Sequence, residues 1–208
     1  MTASDQPPPS GRVVVLAGPS GSGKSRLADR LSRAHGWPVV RLDDFYREHD
    51  DPALPRSEEL GMVDWDHPDS WDEAGAVAAL GRLCATGTAS MPIYDISTSS
   101  AVGEHTVTAR PEDLVIAEGI FAAEAISSLR EAGLLHSAWC IRHHRFLTFG
   151  LRLARDLAER RKPPLTLVRR GLVLTRDEPR IVAHHLSLGA RAATPKQAER
   201  TLSPGPAT

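Results

Sequence analysis

Short, wholly apolar runs alternate with stretches that place an apolar residue every three or four positions along the 208-residue chain. The runs Arg12–Ala17, Pro38–Leu42, Leu114–Ala117 and Ala138–Arg142 are too short for buried helices and too uniformly apolar for strands with one wet face. They predict strands covered on both sides. Helices are predicted over Lys24–Ala34, Ser70–Ala85, Phe121–Glu131, Phe146–Arg161 and about Leu165–Leu188, with Pro163-Pro164 and Pro179 as breaks. Strands alternating with helices imply an α/β fold with a mostly parallel sheet and right-handed crossovers. Residues 88–110 break this rhythm. Thr88–Asp95 and His105–Thr108, with a Ser/Thr-rich connector between them, predict a small β-hairpin outside the core, in the position of a substrate flap.

Length and composition fit one α/β domain, expected over residues 11–194. Residues 1–10 and 195–208 are rich in Pro, Ser, Thr and Ala and are expected to be a disordered N-terminal tail and a flexible C-terminal tail. A net charge of −1 offers no global field for nucleic acid, so no nucleic-acid partner is expected. No apolar run reaches eighteen residues and the first ten residues hold no signal-peptide core, so a cytoplasmic protein without a membrane partner is expected. Cys84 and Cys140 lie far apart without metal-ligand spacing and read as buried free thiols. A homo-oligomer is left open.

The candidate chemistry begins directly behind the first strand. Gly18-Pro19-Ser20-Gly21-Ser22-Gly23-Lys24-Ser25 matches the phosphate-cradling pattern G-x-x-x-x-G-K-[ST] at every fixed position, between a β-branched strand and a helical pattern. Its glycines let successive N–H groups turn inward toward phosphate oxygens, and the helix that follows adds its positive dipole end. Lys24 would reach the β- and γ-phosphates of ATP and the Ser25 hydroxyl would sit on Mg²⁺. The loop therefore sharpens the fold class to a P-loop NTPase-type parallel sheet flanked by helices.

Of the further candidate groups, Asp43 and Glu118 lie where open α/β folds place their ligands, at the carboxyl ends of strands. Asp43, in Arg41-Leu42-Asp43-Asp44-Phe45-Tyr46, suits a general base for an acceptor hydroxyl, and equally an Asx turn or helix cap. Asp64-Trp65-Asp66-His67-Pro68-Asp69-Ser70-Trp71-Asp72 could bind sugar hydroxyls or a divalent metal, while Asp69 or Ser70 would cap the next helix. Glu118, ending Leu114–Ala117, suits the acid that orients Mg²⁺, or a plain strand-to-helix turn. Arg152, Arg155, Arg160 and Arg161 could form a closing lid over a transferring phosphoryl group or a solvated helix face. The pairs His143-His144 and His184-His185 fit no metal spacing and are expected at the surface or half-buried.

Taken in order, Gly18–Ser25, Asp43-Asp44-Phe45-Tyr46, Asp66-His67-Pro68-Asp69, Pro92-Ile93-Tyr94-Asp95, Glu118-Gly119-Ile120 and Arg152-Leu153-Ala154-Arg155-Asp156 resemble the uridine kinase family of nucleoside kinases. The resemblance implies an ATP- and Mg²⁺-dependent kinase acting on the 5′-hydroxyl of uridine, cytidine or a related nucleoside. It implies Asp43 as base, Lys24 and Ser25 on ATP·Mg²⁺ and Glu118 near the metal. Asp66 and Arg152 would hold the ribose, Tyr46 would help line the acceptor site, Tyr94 would face the nucleobase, and Arg155 and Arg160 would form the phosphate lid. Where the family has a base-contacting histidine five residues beyond the tyrosine, this chain has Ser99. That departure keeps pantothenate- and phosphoribulose-type acceptors as alternatives; a non-catalytic ATP-binding module is a separate alternative, against which the presence of both Asp43 and Glu118 argues. A guanine-reading Asn-Lys-x-Asp motif is excluded, because the chain contains no asparagine.

Overall fold

The computed structural model describes residues 11–57, 62–142 and 179–203. Strand β1 (Val13–Ala17) is buried at every residue. Because side chains alternate across a strand, Val13, Val15 and Ala17 enter one core cluster and Val14 and Leu16 enter a second on the opposite face. Helix α1 (Lys24–His35) covers the second face with Leu27, Ala28 and Leu31, and ends at Gly36, whose left-handed φ of 76° closes the last turn. Strand β2 (Val39–Arg41) leads into a 3₁₀ turn, Leu42–Phe45. A second 3₁₀ turn, Pro68–Ser70, precedes helix α2 (Glu73–Thr86), which covers the first face with Ala76, Ala79, Leu80 and Leu83.

Strands β3 (Thr88–Asp95) and β4 (Ser100–Thr108) form a separate antiparallel hairpin, with an irregularity between Ile93 and Tyr94. The chain then returns to the main sheet as β5 (Val115–Glu118), helix α3 (Ile126–Glu131) and β6 (Leu135–Ile141). Residues 179–187 are helical, followed by β7 (Arg191–Ala193) and helix α4 (Pro195–Leu202). The sheet runs β2-β5-β1-β6-β7 and every pairing in it is parallel. From β1 the chain moves out to β2, comes back to insert β5, and only then builds the other side. The strand order therefore reverses at β1, where a doubly wound sheet opens a crevice at its carboxyl edge.

The α/β class, the parallel sheet, the four predicted strands and the hairpin are all observed, with β4 five residues longer at its start than expected. Several expectations change. Residues 195–202, read as part of a flexible tail, are helix α4. Thr194 and Gln197 form a reciprocal capping box at its start, and Ala198 and Leu202 are buried beneath α1. Helix α2 is capped by Asp72, whose Oδ1 accepts from the Gly75 N–H at 3.0 Å, rather than by Asp69 or Ser70. His185 is buried, not surface or half-buried, and Cys84 is only partly buried whereas Cys140 is fully so. The helix expected over Phe146–Arg161 lies outside the described residues, as do His143 and His144. No described helix is long and apolar enough to cross a membrane.

Candidate active site

The loop between β1 and α1 curls because three of its glycines take positive φ: Gly18 at 138°, Gly21 at 79° and Gly23 at 92°. A side chain at Gly18 would also collide with the Ile141 carbonyl, so position 18 tolerates only glycine on two counts. Within this curl the Ser22 hydroxyl is fully buried and finds no hydrogen-bond partner among the described residues. An orphaned buried hydroxyl within a positive-φ glycine curl is what a phosphate oxygen would satisfy, so the loop fits the phosphates of a nucleotide. Lys24, 7% exposed, donates from Nζ to the carbonyls of Gly18 at 2.8 Å and Pro19 at 3.2 Å. It thus lies across the mouth of the cradle.

At the start of α1, the Ser25 hydroxyl donates to Glu118 Oε2 at 3.1 Å. Glu118 ends β5 and Ser25 opens α1, 93 residues apart, and parallel pairing of β5 with β1 joins them. One hydroxyl and one carboxylate form the sparse oxygen set that suits Mg²⁺, which keeps most of its waters and shares phosphate oxygens. Burial holds the Glu118 carboxyl above its usual range, against the pull of the Lys24 ammonium.

Asp43 lies in the 3₁₀ turn after β2, and its Oδ1 accepts the Ile120 backbone N–H at 2.8 Å. The strand-to-helix turn at Glu118-Gly119-Ile120 therefore positions the carboxylate. Gly119 leaves room for this contact, since a methyl group added at 119 would lie 2.7 Å from Asp43 Oδ1 and push the carboxylate aside. Burial raises the Asp43 pKa; the Ile120 N–H, then Lys24 and Arg41, pull it back down, and Asp44 pushes it up. A partly buried carboxylate beside the lysine of a phosphate loop can accept a proton from a hydroxyl aimed at the γ-phosphate.

The acidic segment divides its labour. Asp72 caps α2, Asp64 Oδ1 closes a turn on the Asp66 N–H, and His67 Nδ1 accepts from the Asp69 N–H. Trp71 is core, 3% exposed, with Nε1 donating to the Leu42 carbonyl at 2.7 Å. Asp66 remains exposed, close enough for its charge to help hold the Tyr46 hydroxyl protonated, though burial is the main cause. Tyr46 is the hub of an aromatic group: its ring centroid lies 5.7 Å from Tyr94, 5.8 Å from Phe121 and 6.0 Å from Trp65. The Tyr94 hydroxyl donates to the Arg47 carbonyl at 3.0 Å. The hairpin is also tied to the strap formed by residues 46–49 through the His49 N–H to the Ser99 carbonyl and the Ala101 N–H to Glu48 Oε1. A cleft of about 270 Å³ opens between strap and hairpin, lined by Asp44, Tyr46, Glu48, Asp72, Pro92 and Ala101 among others.

Of the sequence-predicted residues, Lys24, Ser25, Asp43 and Glu118 converge at the carboxyl edge of the sheet, and Tyr46, Asp66 and Tyr94 gather beside it. Arg152, Arg155 and Arg160 lie outside the described residues. Sequence reasoning missed the use of the Ile120 N–H to hold Asp43 and the aromatic roles of Trp65 and Phe121. The backbone donor leaves no trace in residue type, whereas Phe121 could have been suspected from its place just after the Glu118 turn.

An AAA domain family model matches residues 13–88, which carry the loop, α1 and Asp43. A uridine kinase of Macrococcus caseolyticus is 30% identical over 166 residues, covering 79% of this chain and 78% of that protein. The chain belongs to the uridine kinase family. A second relative, the uridine kinase of Chloroflexus aggregans, is 28% identical over 165 residues and covers 79% of this chain and 77% of its own. A protein from Silicibacter sp. TM1040 proposed to be a fructose transport system kinase shares the fold, with a TM-score of 0.59 at 20% identity over 93% of this chain and 91% of that one.

Proposed function

We propose that this protein transfers the γ-phosphoryl group of ATP to a hydroxyl of a small molecule, with the 5′-hydroxyl of uridine, cytidine or a related nucleoside as the leading acceptor. The observation that carries this reading is the convergence of Asp43 with Lys24 and the Ser25–Glu118 pair at the mouth of a phosphate cradle. The backbone amides of the loop and Lys24 would hold the β- and γ-phosphates, with Arg155 and Arg160 closing over them. Ser25 and Glu118 would hold Mg²⁺, which supplies charge neutralisation and orientation of the phosphates when bound. Asp43 takes the proton as the acceptor oxygen forms its bond to phosphorus, while the bond to the departing ADP oxygen breaks. Asp66 and Arg152 would hold the acceptor's hydroxyls, and Tyr46 and Tyr94 would line its other side. The activity is that of a cytoplasmic enzyme on a diffusible substrate.

A second reading keeps the chemistry and changes the acceptor to one of pantothenate or phosphoribulose type. It is favoured by the spent hydroxyl of Tyr94 and by Ser99, a non-glycine residue at φ 51° whose carbonyl is tied to His49. The Tyr94 hydroxyl is spent within the protein and is not available to a nucleobase as it stands. An ADP-release assay across uridine, cytidine, other nucleosides, pantothenate and ribulose 5-phosphate separates the two readings. One acceptor is expected to raise ADP release well above the rate with water alone, and Lys24→Ala should abolish ATP binding in calorimetry. ATP binding with no acceptor-stimulated turnover in any arm would instead mark a non-catalytic ATP-binding module.

A further inference from the structure

Arg41 is the last residue of β2, an edge strand of the main sheet among the described residues, and its Cα is in register with Glu118 on β5. Val40 enters the first core cluster, so the alternation of the strand sends Arg41 to the opposite face. Ala117 likewise enters the first cluster, which puts Glu118 on the same face as Arg41, where it meets Ser25. Arg41 therefore flanks the Ser25–Glu118 pair from the open edge of the sheet.

Arginine is common in this chain, with lysine at only 24, 162 and 196, so residue type alone argues nothing. Placement does. The Arg41 side chain is 65% exposed, and its ion pair with Asp44 is long, 3.9 Å from Nε to Oδ2, beyond hydrogen-bond reach. Its charge nevertheless acts on both functional carboxylates, favouring the ionised forms of Asp43 and Glu118. A guanidinium held this loosely gives up almost nothing by turning away, because exposed ion pairs contribute little. A planar fork of donors facing phosphate oxygens at a partly buried site gains much more.

We propose that Arg41 is a further phosphate-contacting residue of this site, its guanidinium turning from Asp44 onto the γ-phosphoryl group of the donor. The inference rests on the kinase reading above and adds to it a cation supplied from the main sheet, independent of the arginines at 152–160. The alternative is that Arg41 only balances the charge of Asp43, Asp44 and Glu118.

Calorimetry with Mg·ATP and Mg·ADP on the wild type, Arg41→Gln and Arg41→Lys distinguishes them. Arg41→Gln is expected to weaken ATP about ten-fold or more while leaving ADP within about two-fold, and Arg41→Lys to recover part of the loss. The melting temperature should stay within about two degrees, as for an exposed side chain. Equal losses for ATP and ADP, or no loss for either, would overturn the inference while leaving the kinase reading intact. A wild-type protein that binds neither nucleotide overturns both.

Discussion

Among the described residues Asp43 is held by one backbone donor, the Ile120 N–H at 2.8 Å, and by the missing side chain at Gly119. Asparagine at 43 could keep that hydrogen bond through its Oδ1 and would lose only the capacity to take a proton. Asp43→Asn is expected to lower kcat by about 10²- to 10⁴-fold with ATP affinity within several-fold, measured by ADP release and calorimetry. The sign of the accompanying stability change follows from the raised pKa. A carboxyl whose folded pKa exceeds its unfolded value costs stability once pH rises through the folded value, so removing the charge should hold or raise the melting temperature at pH 7. Wild-type kcat/KM should fall on the acid side at a pH above the ordinary aspartate value of 3.8. Normal turnover in the variant would remove Asp43 from the role of base.

Among the elements, α4 shows how a short segment earns a fixed place. Thr194-Pro195-Lys196-Gln197 combines a capping box with proline at the first helical position, and Ala198 and Leu202, one turn apart, face α1. Arg30 of α1 pairs with Glu199 at 2.9 Å, and His35 bonds the Ser203 hydroxyl. Those signals were present in the sequence, but an eight-residue helix is marginal without a partner surface, and the Pro/Ala/Thr composition read as tail. Leu202→Ala is expected to cost about 2–3 kcal/mol in urea unfolding, at the lower end for a buried leucine because the site is near the end of the helix. A cost near zero would show that α4 does not contribute to the folded core.

At the scale of the molecule, the two kinds of buried titratable group oppose each other as pH falls. His185 sits in the core, with Nδ1 3.8 Å from Cys140 Sγ, and burial pushes its pKa down to about 4, with the positive charges of His184 and Lys24 adding to the effect. An imidazole that stays neutral in the folded state contributes stability above its unfolded pKa, near 6.5, and that contribution is lost as pH falls toward 4. Its ceiling is about 3 kcal/mol. Asp43 and Glu118 act with the opposite sign, gaining as they protonate. The wild type's pH profile mixes these contributions, but the difference from His185→Leu isolates one. Urea unfolding between pH 7.5 and 5 should show wild-type stability falling more steeply than the variant's. Parallel slopes would contradict a neutral His185 in the fold.

Much of this molecule is determined by local sequence. The β-branched runs, the positive-φ glycines at 18, 21 and 23, and Lys24-Ser25 specify strand, cradle and helix within fifteen residues, because backbone conformation and hydrophobic period are short-range properties. Tertiary structure decided what those pieces face. Parallel pairing joins Ser25 to Glu118 and brings Asp43 against the Ile120 N–H, and burial among those groups raises both carboxylate pKa values. The same assembly gives Asp64 a turn and Asp72 a helix cap, leaves Asp66 and Asp69 exposed, and makes Trp71 a core residue. Hydrogen bonding and desolvation depend on neighbours dozens of residues away in the chain, and no local pattern encodes them.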